Sequence, residues 1–406
     1  MTQLTLRNFS CLKEADLNLS RLTVLIGPQA SGKSILSKLT YFFYEGLSRQ
    51  FVSLEDQRSL ENFRSGLSEE FKRWFPPSAW GSGQFDIRFS AGPYEVRVRP
   101  AARNKRGSES VRITFSPFFE REYKTLWRHV SQRRRKLHRL DDDPSAEFLT
   151  YGLWSAAQRR LRKILGPDYV ASQLFIPAGR SFFTSIGKAI AAFEKGGILD
   201  PVTVSFGRYF SSLRERRFRR PRIYADDKSD PLRRELIHQF FGGRLRFKRD
   251  DEFIEADDGR RIPLGSLSSG QQELLPLLLS LETFRFRPYS ICYIEEPEAH
   301  LFPSAQSKLV EYLVMPTEWR GERRQKEQQQ LFITTHSPYV LTKLNILAKA
   351  GILAFKRRGL KGQVAKIIKP ESCDRPPVSG PVGMLVERGL LDQRCAGRPS
   401  ARQRGW

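Results

Sequence analysis

The chain of 406 residues carries 69 Lys and Arg against 44 Asp and Glu, a net charge of +25. With 39% hydrophobic and 28% charged residues it has the composition of a globular protein and not of a disordered one. Its longest strongly apolar stretch, around Leu274 to Leu281, falls far short of the roughly 20 residues that a membrane-spanning helix needs. The basic surplus favours a polyanionic partner, nucleic acid first; a generally basic, solvated surface is the plainer alternative.

Residues 2 to 7 alternate as a strand does, with no basic and apolar leader, so the cytoplasm is the expected location. Cys11, Cys292, Cys373 and Cys395 are scattered without metal-ligand spacing, which predicts neither a zinc site nor a disulfide framework. Arg21 to Ile26 reads as a buried strand that ends at Gly27, and a helical pattern runs from Lys33 through about Phe43. Between them lies Gly27-Pro28-Gln29-Ala30-Ser31-Gly32-Lys33-Ser34, a complete GxxxxGK[ST] loop. Such a loop wraps phosphate oxygens with backbone N–H groups, which larger side chains would obstruct, at the positive end of a helix. Gly27, Gln29, Ser31 and Gly32 would form the cradle, Lys33 would meet the β- and γ-phosphates, and the Ser34 hydroxyl would coordinate Mg²⁺.

From Gln84 to Phe115 the pattern alternates again, predicting an antiparallel sheet with turns at Ala91-Gly92-Pro93 and Asn104 to Gly107. The text then becomes helical and basic: residues 101 to 140 hold 12 Lys or Arg and 3 acidic residues. Arg133-Arg134-Arg135-Lys136 and Arg214 to Arg222 are its densest runs, suited to nucleic acid or to an acidic protein that mimics it. A strand resumes at Leu174-Phe175-Ile176.

Leu267-Ser268-Ser269-Gly270-Gln271-Gln272 opens an apolar helix, with Gly270 lying 25 residues before Glu295, and offers exposed N–H groups and a hydroxyl to an anion. Ile291-Cys292-Tyr293-Ile294-Glu295-Glu296 is an apolar strand that delivers two carboxylates at its end. Glu295 would bind Mg²⁺ and Glu296 would orient the attacking water, since phosphoryl transfer asks mainly for positioning and charge neutralisation. A further strand, Leu331 to Thr335, ends at His336-Ser337-Pro338. Beyond Phe355 about 50 residues follow, rich in Arg, Gly, Pro and Ser, with only Glu371, Asp374, Glu387 and Asp392 as acids. That stretch is expected to be a poorly ordered tail with no nuclease domain in it.

These motifs, with Glu296-Pro297-Glu298-Ala299-His300-Leu301-Phe302-Pro303, resemble the OLD-type ABC ATPases, a branch of the SMC- and RecF-related heads that includes ATPase subunits of anti-phage systems such as PARIS and Septu. Phe302 departs from the histidine usual there, and Ser269 replaces the first glycine of the LSGGQ signature. The stretch Phe175 to Ser181 also resembles this branch.

The resemblance implies an α/β P-loop NTPase of the ABC-head type, with a mixed sheet, an antiparallel lobe and a basic helical insertion. Its expected division is a core with the P-loop at 1–50, a helical insertion at 51–83, the β lobe at 84–117, the basic insertion at 118–168, the second part of the core at 169–355, and the tail at 356–406. It implies ATP and Mg²⁺ as ligands and a homodimer in which Ser268, Ser269, Gly270 and Gln271 complete the partner's site, with His336 as the switch histidine on the γ-phosphate. Gln84 and Gln173 both qualify as the Q-loop glutamine. The function implied is an ATP-gated sensor or scaffold in phage defence with a separate effector, a nuclease by expectation. A repair ATPase and a module that holds ATP with little hydrolysis remain the alternatives.

Overall fold

The computed structural model describes residues 2–81, 84–101, 110–137, 145–186, 199–219, 231–248, 251–284, 287–314, 329–356 and 383–386. Five strands form an antiparallel sheet: β1 (Gln3–Phe9), β2 (Leu12–Asn18), β4 (Asp86–Ala91), β5 (Tyr94–Pro100) and β6 (Val111–Phe115), in the order β2-β1-β4-β5-β6. Its strands alternate as a half-solvated sheet requires, with Ile87, Phe89, Tyr94, Val96, Val98, Ile113 and Phe115 on the buried face. Gly92, at φ +53°, makes the predicted turn between β4 and β5. The turn expected at Asn104 to Gly107 lies outside the described residues. The strand Leu12–Asn18 has no counterpart in the sequence pattern, because only Ala15 and Leu17 of its seven residues are buried.

The second sheet is parallel at every described pairing, in the order β13-β3-β12-β11-β7, with β3 (Leu22–Ile26), β7 (Ser172–Ile176), β11 (Ser290–Glu295), β12 (Gln329–Thr335) and β13 (Gly383–Val386). All six residues of β11 are buried, as a central parallel strand demands. Residues 383–386, expected in an unstructured tail, instead add the strand beside β3; a four-residue apolar run is too short to announce a strand by periodicity. Together the two sheets and their helices make the α/β architecture that the resemblance implied.

Helix α1 (Lys33–Glu55) lies between these layers and buries every residue from Leu39 to Tyr44, while Lys38, Glu45 and Arg49 keep a polar side. With α2 (Leu60–Trp74) it builds an aromatic core in which Phe71, fully buried, meets Phe9, Phe42, Phe75 and Phe85. Ser59 caps α2 by accepting from Asn62 N. Helices α3 (Pro117–Leu137) and α4 (Ser145–Leu165) follow the antiparallel sheet, joined by a bidentate Arg160–Glu122 pair. The backbone of Arg133 to Lys136 belongs to α3, but their side chains lie outside the described residues, as do Arg220 to Arg222.

Helices α5 (Ser181–Ile186), α6 (Pro201–Arg219) and α7 (Pro231–Phe241) and a three-stranded antiparallel sheet, β8 (Gly243–Lys248), β9 (Asp251–Ala256) and β10 (Arg261–Pro263), surround α8 (Ser269–Phe284). The leucines of α8 form a second core with Ile176, Phe206 and Ile294. Helices α9 (Pro303–Val314) and α10 (Pro338–Lys356) close the far face of the parallel sheet on Val24. No helix among the described residues is long and apolar enough to cross a membrane.

Candidate functional site

Parallel pairing brings three strand ends to one edge. Thr335 pairs with Ile26, and Glu295 pairs with Thr334, so the loop after β3, the acids after β11 and the histidine after β12 emerge side by side. This is the carboxyl edge at which open α/β sheets bind ligands.

The loop from Gly27 to Gly32 needs left-handed backbone at Ala30, φ +59°, and at Gly32, φ +89°. A side chain at Gly32 would also collide with Leu12, whose side chain lies 2.6 Å from the position of a Cβ. Lys33 Nζ folds back to donate to the carbonyls of Gly27 at 2.8 Å and Pro28 at 2.6 Å. Ser31 Oγ donates to Pro28 O at 2.8 Å. Gln29 and Ser34 are exposed. Helix α1 begins with no side-chain cap and no acidic residue in its first turn. An uncapped helix start that carries a lysine is a site for an anion, so the residues fit a polyphosphate.

Glu295 is buried, and its Oε1 lies 3.4 Å from Ser37 Oγ, which itself donates to Ser34 O at 3.0 Å. Its carboxylate therefore stands over the first turn of α1. One carboxylate and the Ser34 hydroxyl suit Mg²⁺, which keeps most of its ligands as water and phosphate.

Glu296 follows with φ +43°, a conformation that costs a non-glycine residue energy and persists only where the surroundings impose it. They do so at both ends. Its N–H donates to Thr334 O at 2.9 Å, and its carbonyl accepts from Arg180 Nη2 at 3.0 Å. His336 Nδ1 stands 3.6 Å from Glu296 Oε1 and 3.7 Å from Glu298 Oε1.

Sequence reasoning missed three buried charges. Glu298 Oε1 accepts from Thr335 Oγ1 at 2.6 Å and from His336 N at 3.0 Å, so it fixes the end of β12; its Oε2 is buried without a hydrogen-bond partner among the described residues. Arg180 is fully buried, with Nη1 donating to the carbonyls of Pro177 at 3.0 Å and Glu295 at 2.7 Å. Burial works against its charge, opposed first by Glu273 and then by Glu298, Glu295 and Glu296. Glu273, on α8, accepts from Arg180 N at 2.9 Å and Ser181 N at 3.0 Å. A lone acid amid Leu274, Leu275, Leu277 and Leu278 was the signal available for it.

At the start of α8, Ser268 and Gln271 form a capping box: Ser268 N donates to Gln271 Oε1 at 3.1 Å and Gln271 N faces Ser268 Oγ at 3.4 Å. Gln271 Nε2 also donates to Phe240 O at 3.0 Å, so this side chain is committed within its own chain. Ser268 and Ser269 are exposed, and Gly270 packs against the backbone of His300. Of the two glutamines, Gln173 stands near the amino end of β7, away from the site, with its amide held by Tyr41 O and Tyr293 OH. Gln84 is exposed just before β4.

The chain belongs to the family described as "AAA domain, putative AbiEii toxin, Type IV TA system", which matches residues 22–342 and so spans all four motifs. Membership makes it an AAA-type ATPase-domain protein, and the family implies nucleotide binding, typically with Mg²⁺. No curated protein matches it. Among solved structures, the SmcHead bound to the C-winged helix domain of ScpA is 12% identical, covering 84% of this chain and 90% of that one at a TM-score of 0.40. The SMC head domain from Thermotoga maritima is 14% identical over 84% of this chain and 90% of that one, with a TM-score of 0.33. The Smc head with an extended coiled coil, bound to the C-terminal domain of ScpA from Pyrococcus furiosus, is 12% identical over 84% and 92%, with a TM-score of 0.36.

Proposed function

We propose that this AAA-domain ATPase clamps ATP between two copies of itself, the loop of one protomer facing the Ser268–Gln271 turn of the other. In this reading it serves as the nucleotide-gated sensor or scaffold of an anti-phage system of the OLD, PARIS or Septu kind, coupled to a separately encoded effector of nuclease type. The observation that carries the chemistry is the convergence of Lys33, Glu295, Glu296 and His336 at one edge of the parallel sheet. The clamp is supported by the exposed start of α8, which presents Ser268 and Ser269 outward. The family description, which names a toxin of a type IV TA system, supports a defence setting, and the net charge of +25 supports a polyanionic trigger, DNA or an acidic mimic of it.

Each side chain then has a task. The backbone of Gly27 to Gly32, with Gln29 and Ser31, holds the phosphates, and phosphate oxygens replace the Gly27 and Pro28 carbonyls as partners of Lys33. Ser34 and Glu295 would hold Mg²⁺, which would supply charge neutralisation to the polyphosphate. Glu296 accepts a hydrogen bond from the attacking water. As that oxygen bonds to the γ-phosphorus, the bridging bond to ADP breaks, and His336 donates to the transferred phosphoryl oxygens. Ser268, Ser269 and Gly270 of the facing protomer close the site from the other side.

Two variants test this reading. Lys33→Ala should lose nucleotide binding in equilibrium dialysis, whereas wild-type turnover would overturn the assignment of the loop. Glu296→Gln should keep binding while its turnover falls by about 10²–10⁴-fold. It should also accumulate as a dimer in light scattering with Mg²⁺ and ATP; a monomer at saturating nucleotide would sink the clamp. DNA-stimulated hydrolysis without any partner would favour a repair role instead.

A further inference from the structure

Arg180 sits where two parts of the proposed site meet. Its guanidinium donates to four backbone carbonyls: Glu273 O at 3.0 Å through Nε, Pro177 O at 3.0 Å and Glu295 O at 2.7 Å through Nη1, and Glu296 O at 3.0 Å through Nη2. One planar group thus grips the backbone of both acids at the end of β11 and the first turns of α8. Glu273 returns the grip, since its two carboxylate oxygens accept the N–H groups of Arg180 and Ser181. Both side chains are buried, Arg180 at 0% and Glu273 at 2% exposure. The link is therefore dry and has little freedom to relax around a displacement.

We propose that Arg180 and Glu273 are positioning residues that couple the exposed start of α8 to the placement of Glu295 and Glu296. This rests on the clamped-dimer reading and adds regulation to it. In such a dimer the start of α8 belongs to one composite site, while Glu295 and Glu296 of the same chain belong to the other. A phosphate docking on Ser268 and Ser269 shifts α8, and the shift passes through Glu273 and Arg180 to the carbonyls of the acids. The left-handed backbone of Glu296 makes its carboxylate direction sensitive to such a pull. Each nucleotide then prepares the opposite site, which makes hydrolysis positively cooperative in ATP.

Arg180→Lys tests the coupling, because a lysine keeps the charge but offers donors from a single point and cannot bridge four carbonyls in one plane. Its affinity for the slowly hydrolysed analogue ATPγS should stay within about threefold of wild type while kcat falls about a hundredfold. Its Hill coefficient should fall from above 1 in the wild type to about 1. Wild-type kcat and Hill coefficient, or a loss of binding as large as the loss of turnover, would overturn the proposal. If the variant melts without a cooperative transition, hydrogen exchange of the wild-type chain decides. Mg²⁺ and ATPγS should then protect residues 27–36, 178–186 and 268–276 together. Protection of 27–36 and 268–276 with 178–186 unchanged would reject the link and leave the nucleotide reading standing. No protection of 27–36 would bring down that reading and the coupling with it.

Discussion

Gly270 shows how much a single hydrogen can matter at this site. In a helix, glycine is normally about 1 kcal/mol worse than alanine, so Gly270→Ala should on propensity stabilise α8. A Cβ there would lie 2.6 Å from the carbonyl oxygen of His300, a backbone atom that cannot swing aside. Overpacking of this kind costs about 1–3 kcal/mol, which outweighs the propensity gain. Gly270→Ala should therefore lower the urea midpoint of unfolding, and an unchanged or higher midpoint would show that the backbone at His300 yields freely. The same steric logic explains why the glycines of the phosphate loop could be recognised from sequence. Gly32 is demanded by its left-handed backbone as well as by Leu12, whereas Gly270 answers only to a residue 30 positions away in the chain.

Elements built from local patterns were legible, and those that depend on distant partners were not. The loop after β3 and the acid pair after β11 each lie at the end of a short apolar run, so strand, turn and chemistry sit within one window of sequence. Arg180 and Glu273 are 93 residues apart, and nothing in either neighbourhood announces the other. Gln173, one of two glutamines that qualify for the Q-loop, shows the converse limit. Nothing in its neighbourhood announces that its amide is held between Tyr41 and Tyr293. Helix α2 falls within the expected insertion, but it turns Phe63, Leu67 and Phe71 into the main core. Phe71→Ala should accordingly cost about 3–5 kcal/mol in equilibrium unfolding. A loss below 1 kcal/mol, on the order of an exposed-site change, would mean that α2 is not integral to the core.

At the scale of the molecule, charge and chain order each carry a consequence. If the basic surplus meets DNA, the logarithm of affinity should fall linearly with the logarithm of salt. Reversing the charge of Arg133, Arg134 and Arg135 should flatten that line by about 0.9 for each phosphate no longer neutralised. A salt-independent affinity would leave an acidic protein as the partner. Chain order bears on synthesis. The antiparallel sheet has all its strands by Phe115, whereas β3 finds its neighbours only when β12, from Gln329, and β13, from Gly383, have been made. The strand that launches the phosphate loop leaves the ribosome well before either strand that pairs with it. Ribosome-bound chains arrested before residue 329 should therefore retain no nucleotide despite carrying the whole loop and both acids, and nucleotide retention by such chains would show that the loop is competent without its sheet. On that expectation nucleotide binding waits for the pairing of β3, and a shorter nascent chain holds none.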